Sequence, residues 1–289
     1  YPSFPLEDQV RAYAIYGGTP AYLHTLQPQQ SLKENILDGI LSRGSFLYDE
    51  VRFVLQQELR EPRNYFAILQ AIAAGKTRLN EIKLATGIEG ATAYLDTLQQ
   101  LHLVERLVPV TETQPQKSRR GIYRLKDHYL RFWFRYVHPN RSQLERDGAQ
   151  IILENQVIPE IDHFSSLTFE EVCQQFFWQA GISGKLPFVP TNIGNWWNAN
   201  EEVDLVVLGE NDAILVECKW TSKPVGIDIL AELERKAQLV KPELGDRQIR
   251  FALCSRSGFT SQLIEDAKRR QDVTLLDLPE IVGKMIFEK

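Results

Sequence analysis

"NEEVDLVVLGENDAILVECKW", residues 200–220, is the stretch that decides the fold. Two almost wholly apolar runs, 203–208 and 213–218, flank a Gly-Glu-Asn-Asp turn, which reads as strand, turn, strand. Strands this apolar are buried on both faces. Three charged residues break the pattern: Asp204, Glu217 and Lys219. Residues two apart on a strand share a face, so Glu217 and Lys219 point one way and Val216 and Cys218 the other. Pairing across the turn brings Asp204 towards Glu217. Buried carboxylates need partners or a metal. Two of them at a sheet edge suit a hard divalent cation such as magnesium or manganese, which takes oxygen ligands and keeps several waters. A neighbouring lysine stabilises developing negative charge or positions an attacking water. Together these make a layout for metal-assisted phosphodiester cleavage. The plain alternative is a set of wet charges on an amphipathic hairpin, and the apolar character of both runs argues against it.

Working outward, the segment from 145 onward alternates helices and strands. "LTFEEVCQQFFWQAG" (167–181) is a helix with Phe169, Val172, Cys173, Phe176 and Phe177 on its apolar side. After the hairpin come a helix over 226–240, a buried strand over 249–255, a helix over 261–271 and a last strand over 273–278. Residues 1–60 read as helices joined by tight turns, with Gly17-Gly18 stopping one helix and Pro20 opening the next. Residues 61–144 read as three helices followed by a hairpin, the order of a winged helix, and then an aromatic helix, "DHYLRFWFRYVHPNR" (127–141). Phe132, Trp133, Phe134 and Tyr136 there suit a core helix better than a base-stacking platform. The chain is therefore read as multi-domain, α and α/β, in three parts: 1–60, 61–144 and 145–289.

Composition fits a soluble globular protein, with 43% hydrophobic and 25% charged residues and a net charge of -5. That balance argues against a protein held on nucleic acid by bulk charge, though not against a local basic groove. Cys173, Cys218 and Cys254 lack any C-x-x-C spacing and read as reduced thiols of a cytoplasmic protein. No apolar run reaches membrane-spanning length and no signal-peptide layout opens the chain. It begins at Tyr1 and its one methionine is Met285, so a fragment of a longer protein is expected. The five histidines never come at metal-ligand spacing, and no serine or cysteine sits in a nucleophile motif.

An acid on one strand, E-x-K on the next and a glutamate on the preceding helix resemble the PD-(D/E)XK nuclease fold. The matching residues are Asp204, Glu217 and Lys219, with Glu170 in "TFEE" as the helix acid and Glu171 as its alternative. Val203 stands where the family pattern has proline. The resemblance implies that Asp204, Glu217 and Glu170 hold magnesium or manganese, that the backbone carbonyl of Cys218 adds a ligand, and that Lys219 serves the reaction.

A wider resemblance spans nearly the whole chain. "YAIYGGTPAYL" (13–23), "YFAILQAIAAGKTRLNEI" (65–82), "LRFWFRYVHPN" (130–140) and "VECKW" (216–220), in that order, are similar to the C-terminal half of the archaeal-type ATPases. It implies a helical lid, a winged helix and a nuclease-like domain behind a P-loop core. No G-x-x-x-x-G-K-[ST] occurs in this chain, so ATP binding would belong to the full-length parent alone.

The winged-helix reading implies DNA as a partner. The helix in the recognition position carries Glu89 and Asp96 and no Lys or Arg, whereas the loop between the hairpin strands carries Lys117, Arg119 and Arg120, a set suited to a phosphate backbone. Protein docking is the other use of such a module. Lys236 and Gln238, on the helix after the E-x-K strand, read as surface positions, although nuclease-like folds can supply an extra polar group from there; Lys268, Arg269 and Arg270 read as a helix's wet face. Two functional readings result: a metal-dependent nuclease, or the same fold kept for gripping DNA or a partner protein.

Overall fold

The computed structural model describes residues 4–59 and 62–286, so the expected boundary near residue 60 falls outside the described residues. The chain divides into two compact units: Tyr1–Leu107 with Gly121–Ile161, and Val108–Arg120 with Asp162–Lys289.

The first unit is helical. It comprises α1 (Leu6–Tyr16), α2 (Pro20–Leu23), α3 (Leu32–Ile36), α4 (Phe46–Glu58), α5 (Pro62–Ala73), α6 (Leu79–Thr86) and α7 (Ala91–Gln100). A hairpin of β1 (Val104–Leu107) and β2 (Ile122–Leu125) follows, then α8 (His128–Phe132), α9 (Arg141–Leu144) and α10 (Ala149–Ile152). Local chemistry sets the ends. Gly17, at φ 63°, stops α1, and Ser31 and Glu34 cap α3 reciprocally. The aromatic segment is core, as its pattern predicts. Phe132 and Trp133 are fully buried, the Tyr129 hydroxyl donates to the Leu47 carbonyl at 2.6 Å, and Trp133 Nε1 donates to the Tyr48 carbonyl at 2.9 Å.

The second unit is α/β. It follows α11 (Ile158–Ile182), whose first residues lie in the first unit, with β3 (Asn192–Trp197), β4 (Glu202–Leu208), β5 (Asp212–Lys219), α12 (Ile227–Leu244), β6 (Gln248–Ser255), α13 (Ser261–Arg269), β7 (Val273–Asp277) and α14 (Leu278–Ile286). The sheet order is β3-β4-β5-β6-β7; β3, β4 and β5 run antiparallel, whereas β5, β6 and β7 run parallel. Val203, Leu205, Val206 and Val207 of β4 and Ala213–Val216 of β5 are all buried, which is why both runs are apolar throughout. On one side, Leu230, Leu233, Ala237 and Val240 of α12 pack against Leu215, Phe251 and Leu253 of the sheet. α11 carries a second apolar stripe of Phe169, Cys173, Phe176 and Phe177.

Two features depart from the sequence reading. The edge strand β3 has no counterpart in the sequence reading, which assigns no element between the helix at 167–181 and the hairpin. The segment 108–120, between β1 and β2, belongs to the second unit: the Val110 amide donates to the Asn195 carbonyl at 2.9 Å, alongside β3. Among the described residues no helix is long and apolar enough to cross a membrane.

Candidate functional site

Regular pairing of β4 with β5 ends at Leu205↔Val216. Asp204 and Glu217 are the next residue on each strand, so the two acids stand at the fork where the strands part. Asp204 Oδ2 accepts from the Cys218 amide at 2.7 Å, which fixes its carboxylate against the neighbouring strand. Asn195 of β3 ties the other side: its Nδ2 donates to the Asp204 carbonyl at 2.6 Å and to Glu170 Oε2 of α11 at 3.4 Å. The three acids singled out by sequence thus face one cleft of about 400 Å³, lined also by Asp162, His163, Ser166, Glu202 and Trp220.

Glu217 is held by two cations. Lys219 Nζ lies 2.5 Å from Oε1, and Lys236 Nζ of α12 lies 3.2 Å from Oε2. The Glu217 side chain is 7% exposed and that of Lys236 11%, against 31% for Lys219. Of the two readings of Lys236, the structure favours the polar group supplied to the site over the surface position. Lys236 is a buried partner of the second strand acid, while Gln238, two residues on, is exposed. Burial, and then the neighbouring Glu217 carboxylate, push Asp204 up to about 7, against the pull of the Cys218 amide and of both lysines. Burial pulls the Lys219 ammonium down, but the hydrogen bond and charge of Glu217 outweigh it and leave Lys219 above the ordinary lysine value.

On α11, His163, Ser166 and Glu170 recur at helical spacing and face the cleft. His163 escaped the sequence reading because no second histidine accompanies it; its signal is its spacing from Glu170. Trp220 closes the floor. Its Nε1 donates to Asp162 Oδ1 at 3.2 Å, and the Arg256 guanidinium, paired with Asp162 at 2.8 Å, lies 5.1 Å from the Trp220 ring centroid.

Of the three basic loop residues, Lys117 and Arg119 are exposed, but Arg120 is engaged within the unit. Its guanidinium pairs with Glu243 of α12 at 3.2 Å and donates to the Trp197 carbonyl, while Trp197 Nε1 donates to the Arg120 carbonyl at 3.2 Å. Glu243 also accepts from Trp196 Nε1 at 3.0 Å and from the Thr111 hydroxyl. Lys268 and Arg269 are exposed on α13, and Arg270 pairs with Asp272 and Glu234.

Residues 133–239, which include Glu170, Asp204, Glu217 and the residues that bind them, match a family model described as archaea bacterial proteins of unknown function. Over 287 residues the chain is 33% identical to Uncharacterized protein MJECL04 of Methanocaldococcus jannaschii, a match covering 97% of this chain and 62% of that protein. The chain thus spans about three fifths of the length of that relative. Two solved structures align with it. One is protein VC1899 from Vibrio cholerae, 14% identical over 97% of this chain and 55% of that one, with a TM-score of 0.32. The other is Can2 from Sulfobacillus thermosulfidooxidans in complex with cyclic tetra-adenylate, 14% identical over 83% of this chain and 55% of that one, with a TM-score of 0.29.

Proposed function

We propose that this chain carries a metal-dependent, nuclease-like module that cleaves phosphodiester bonds in DNA. The observation that carries the reading is the meeting of Asp204 and Glu217 at the strand fork, with Lys219 beside them. Oxygen donors from Asp204, Glu217 and Glu170 around an open cleft fit magnesium or manganese, which accept carboxylates and retain water. Such an ion, when bound, supplies charge neutralisation at the phosphate and a more acidic water. The chain's own residues do the rest. The Cys218 amide and Asn195 orient Asp204, and Lys236 keeps Glu217 in place as Lys219 turns its ammonium from Glu217 to the phosphate oxygens. Trp220, packed on Phe169 and bonded to Asp162, holds the floor of the cleft rigid.

In this reading the three helices and hairpin of the first unit are a winged helix, and the module serves a larger cytoplasmic ATP-binding protein of the archaeal type. Its partners are DNA and, through the winged helix, protein. A second reading, in which the module binds without cutting, has its own support: both oxygens of Glu217 are taken by ammonium groups. Calorimetric titration of manganese, with plasmid nicking assayed alongside, separates the two. Binding and nicking by this chain, both lost in Asp204→Ala, are expected. No nicking by this chain, with or without manganese binding, leaves the second reading, and nicking undiminished in Asp204→Ala defeats the first.

A further inference from the structure

The face of β5 turned away from the acids carries a second cluster. Alternation puts Cys218 on the opposite face from Glu217 and Lys219. There it is the direct register partner of Cys254 on the parallel strand β6. Cys173, on the buried stripe of α11, completes the group. The three sulfurs lie within 4.8 Å of one another, and among the described residues this is the group of three metal-ligating side chains gathered so tightly. None of the three is in a disulfide, and Cys173 and Cys254 are fully buried. Spacing along the sequence hid the cluster, because each thiol comes from a different element.

Buried cysteines often serve as small apolar fillers, and one on each element would need no further account. Three donors on three elements, converging on one point, form a ligand set. Its chemistry differs from that of the acidic cleft. Sulfur ligands select soft, thiophilic ions, whereas magnesium and manganese take the carboxylates. A closed structural zinc site requires four ligands, and no fourth His, Cys, Asp or Glu joins this group among the described residues. Metal–thiolate bonds of about 2.3 Å place sulfurs roughly 4 Å apart, so the cluster needs only a slight contraction.

We infer that Cys173, Cys218 and Cys254 form a three-thiolate site for a soft, thiophilic metal ion, set back to back with the carboxylates across β5. Cys218 belongs to both sites, through its sulfur here and through its amide at Asp204. The inference stands apart from the phosphodiesterase reading, because it uses none of the cleft's acids as ligands.

Cadmium is the probe, since its thiolate complexes absorb in the ultraviolet by sulfur-to-metal charge transfer and its carboxylate complexes do not. The full chain, reduced and freed of metal, is titrated with cadmium while that band and bound cadmium are measured. One ion per chain saturating the band is expected, with the band retained in Asp204→Asn. Cys173→Ala and Cys254→Ala, checked for folding by circular dichroism, are expected to lose it. No band in the folded parent chain, or a band undiminished in both cysteine variants, overturns the inference. Should neither variant fold, protection of the parent chain's thiols against maleimide in mild denaturant decides. Equimolar cadmium must slow their labelling, and equal labelling with and without it overturns the inference.

Discussion

Glu217 accepts from two ammonium groups, and burial decides which matters more to stability. Lys236 is nearly as buried as Glu217 itself, whereas Lys219 keeps 31% of its side chain exposed. Removing a buried partner leaves an under-compensated charge, while losing a half-exposed pair alters stability by about 1 kcal/mol or less. Lys236→Met, which retains the apolar stem, should therefore destabilise the chain by about 2–4 kcal/mol and Lys219→Met by under about 1 kcal/mol. Urea unfolding at neutral pH measures both, and the reverse ranking would refute this account of Glu217. Asp204 gives a pH signature. Its folded value, about 7, lies above that of an unfolded aspartate, so the native chain binds the extra proton between roughly pH 4 and 7. The contribution of Asp204 to stability is therefore most favourable below that window and falls as pH rises through it. Asp204→Asn keeps an oxygen for the Cys218 amide and removes the titration. Relative to the parent, this variant should gain on the order of 2–4 kcal/mol between pH 5 and pH 8; a gap independent of pH would contradict the burial of this carboxyl. Asp204, Glu217 and Lys219 were legible because two-residue alternation locates side chains within one hairpin. Lys236 was not, since its polarity among helix neighbours matches a wet face and its partner sits on another element.

At the level of elements, the strands with strong period or continuous apolar character, β4, β5 and β6, were plain in sequence, as were α11 and α12. β3 was not, because "NIGNWW" mixes Gly194 and two asparagines with apolar residues and buries only Ile193 and Trp196 to any depth. Its partners make it a strand: β4 on one side and Val110 on the other, so close that a Cβ at Gly194 would lie 3.2 Å from Val110 Cβ. The C-terminal end of α11 shows a similar override of local preference. Gly181 is helical, and alanine there would ordinarily favour the helix by about 1 kcal/mol. A Cβ at that position, however, would meet the Pro190 ring 2.1 Å away. A proline ring has no rotamer to yield, so Gly181→Ala should instead destabilise by about 1–3 kcal/mol. Thermal unfolding reads the sign directly. A raised melting temperature would mean that the 183–190 turn does not pack where it is described.

For the whole molecule, the second unit is not one continuous stretch of chain. Residues 108–120 come from between two strands of the first unit's hairpin, yet they pack with 162–289. The sequence marks this segment only as a polar, basic loop, because few of its residues, Val110 and Arg120 among them, anchor it to the sheet. Both act on β3. The Val110 amide occupies the Asn195 carbonyl, while Arg120 exchanges hydrogen bonds with Trp197 and pairs with Glu243. An uncovered edge strand offers its backbone to other chains, and each lost hydrogen bond withdraws roughly 1 kcal/mol. A fragment of residues 145–289 alone should thus unfold with a stability about 2–4 kcal/mol below that of the same unit in the full chain. It should also self-associate through β3, visible by sedimentation as species absent from the full chain. Glu243→Ala in the full chain, which removes the acceptor shared by Arg120, Thr111 and Trp196, should reproduce part of the lost stability without the self-association, since the backbone cover from Val110 remains. A fragment that stays monomeric and as stable as the intact unit would show that the 108–120 segment rests on the sheet without supporting it. The basic loop would then be free for the phosphate contacts its sequence suggests.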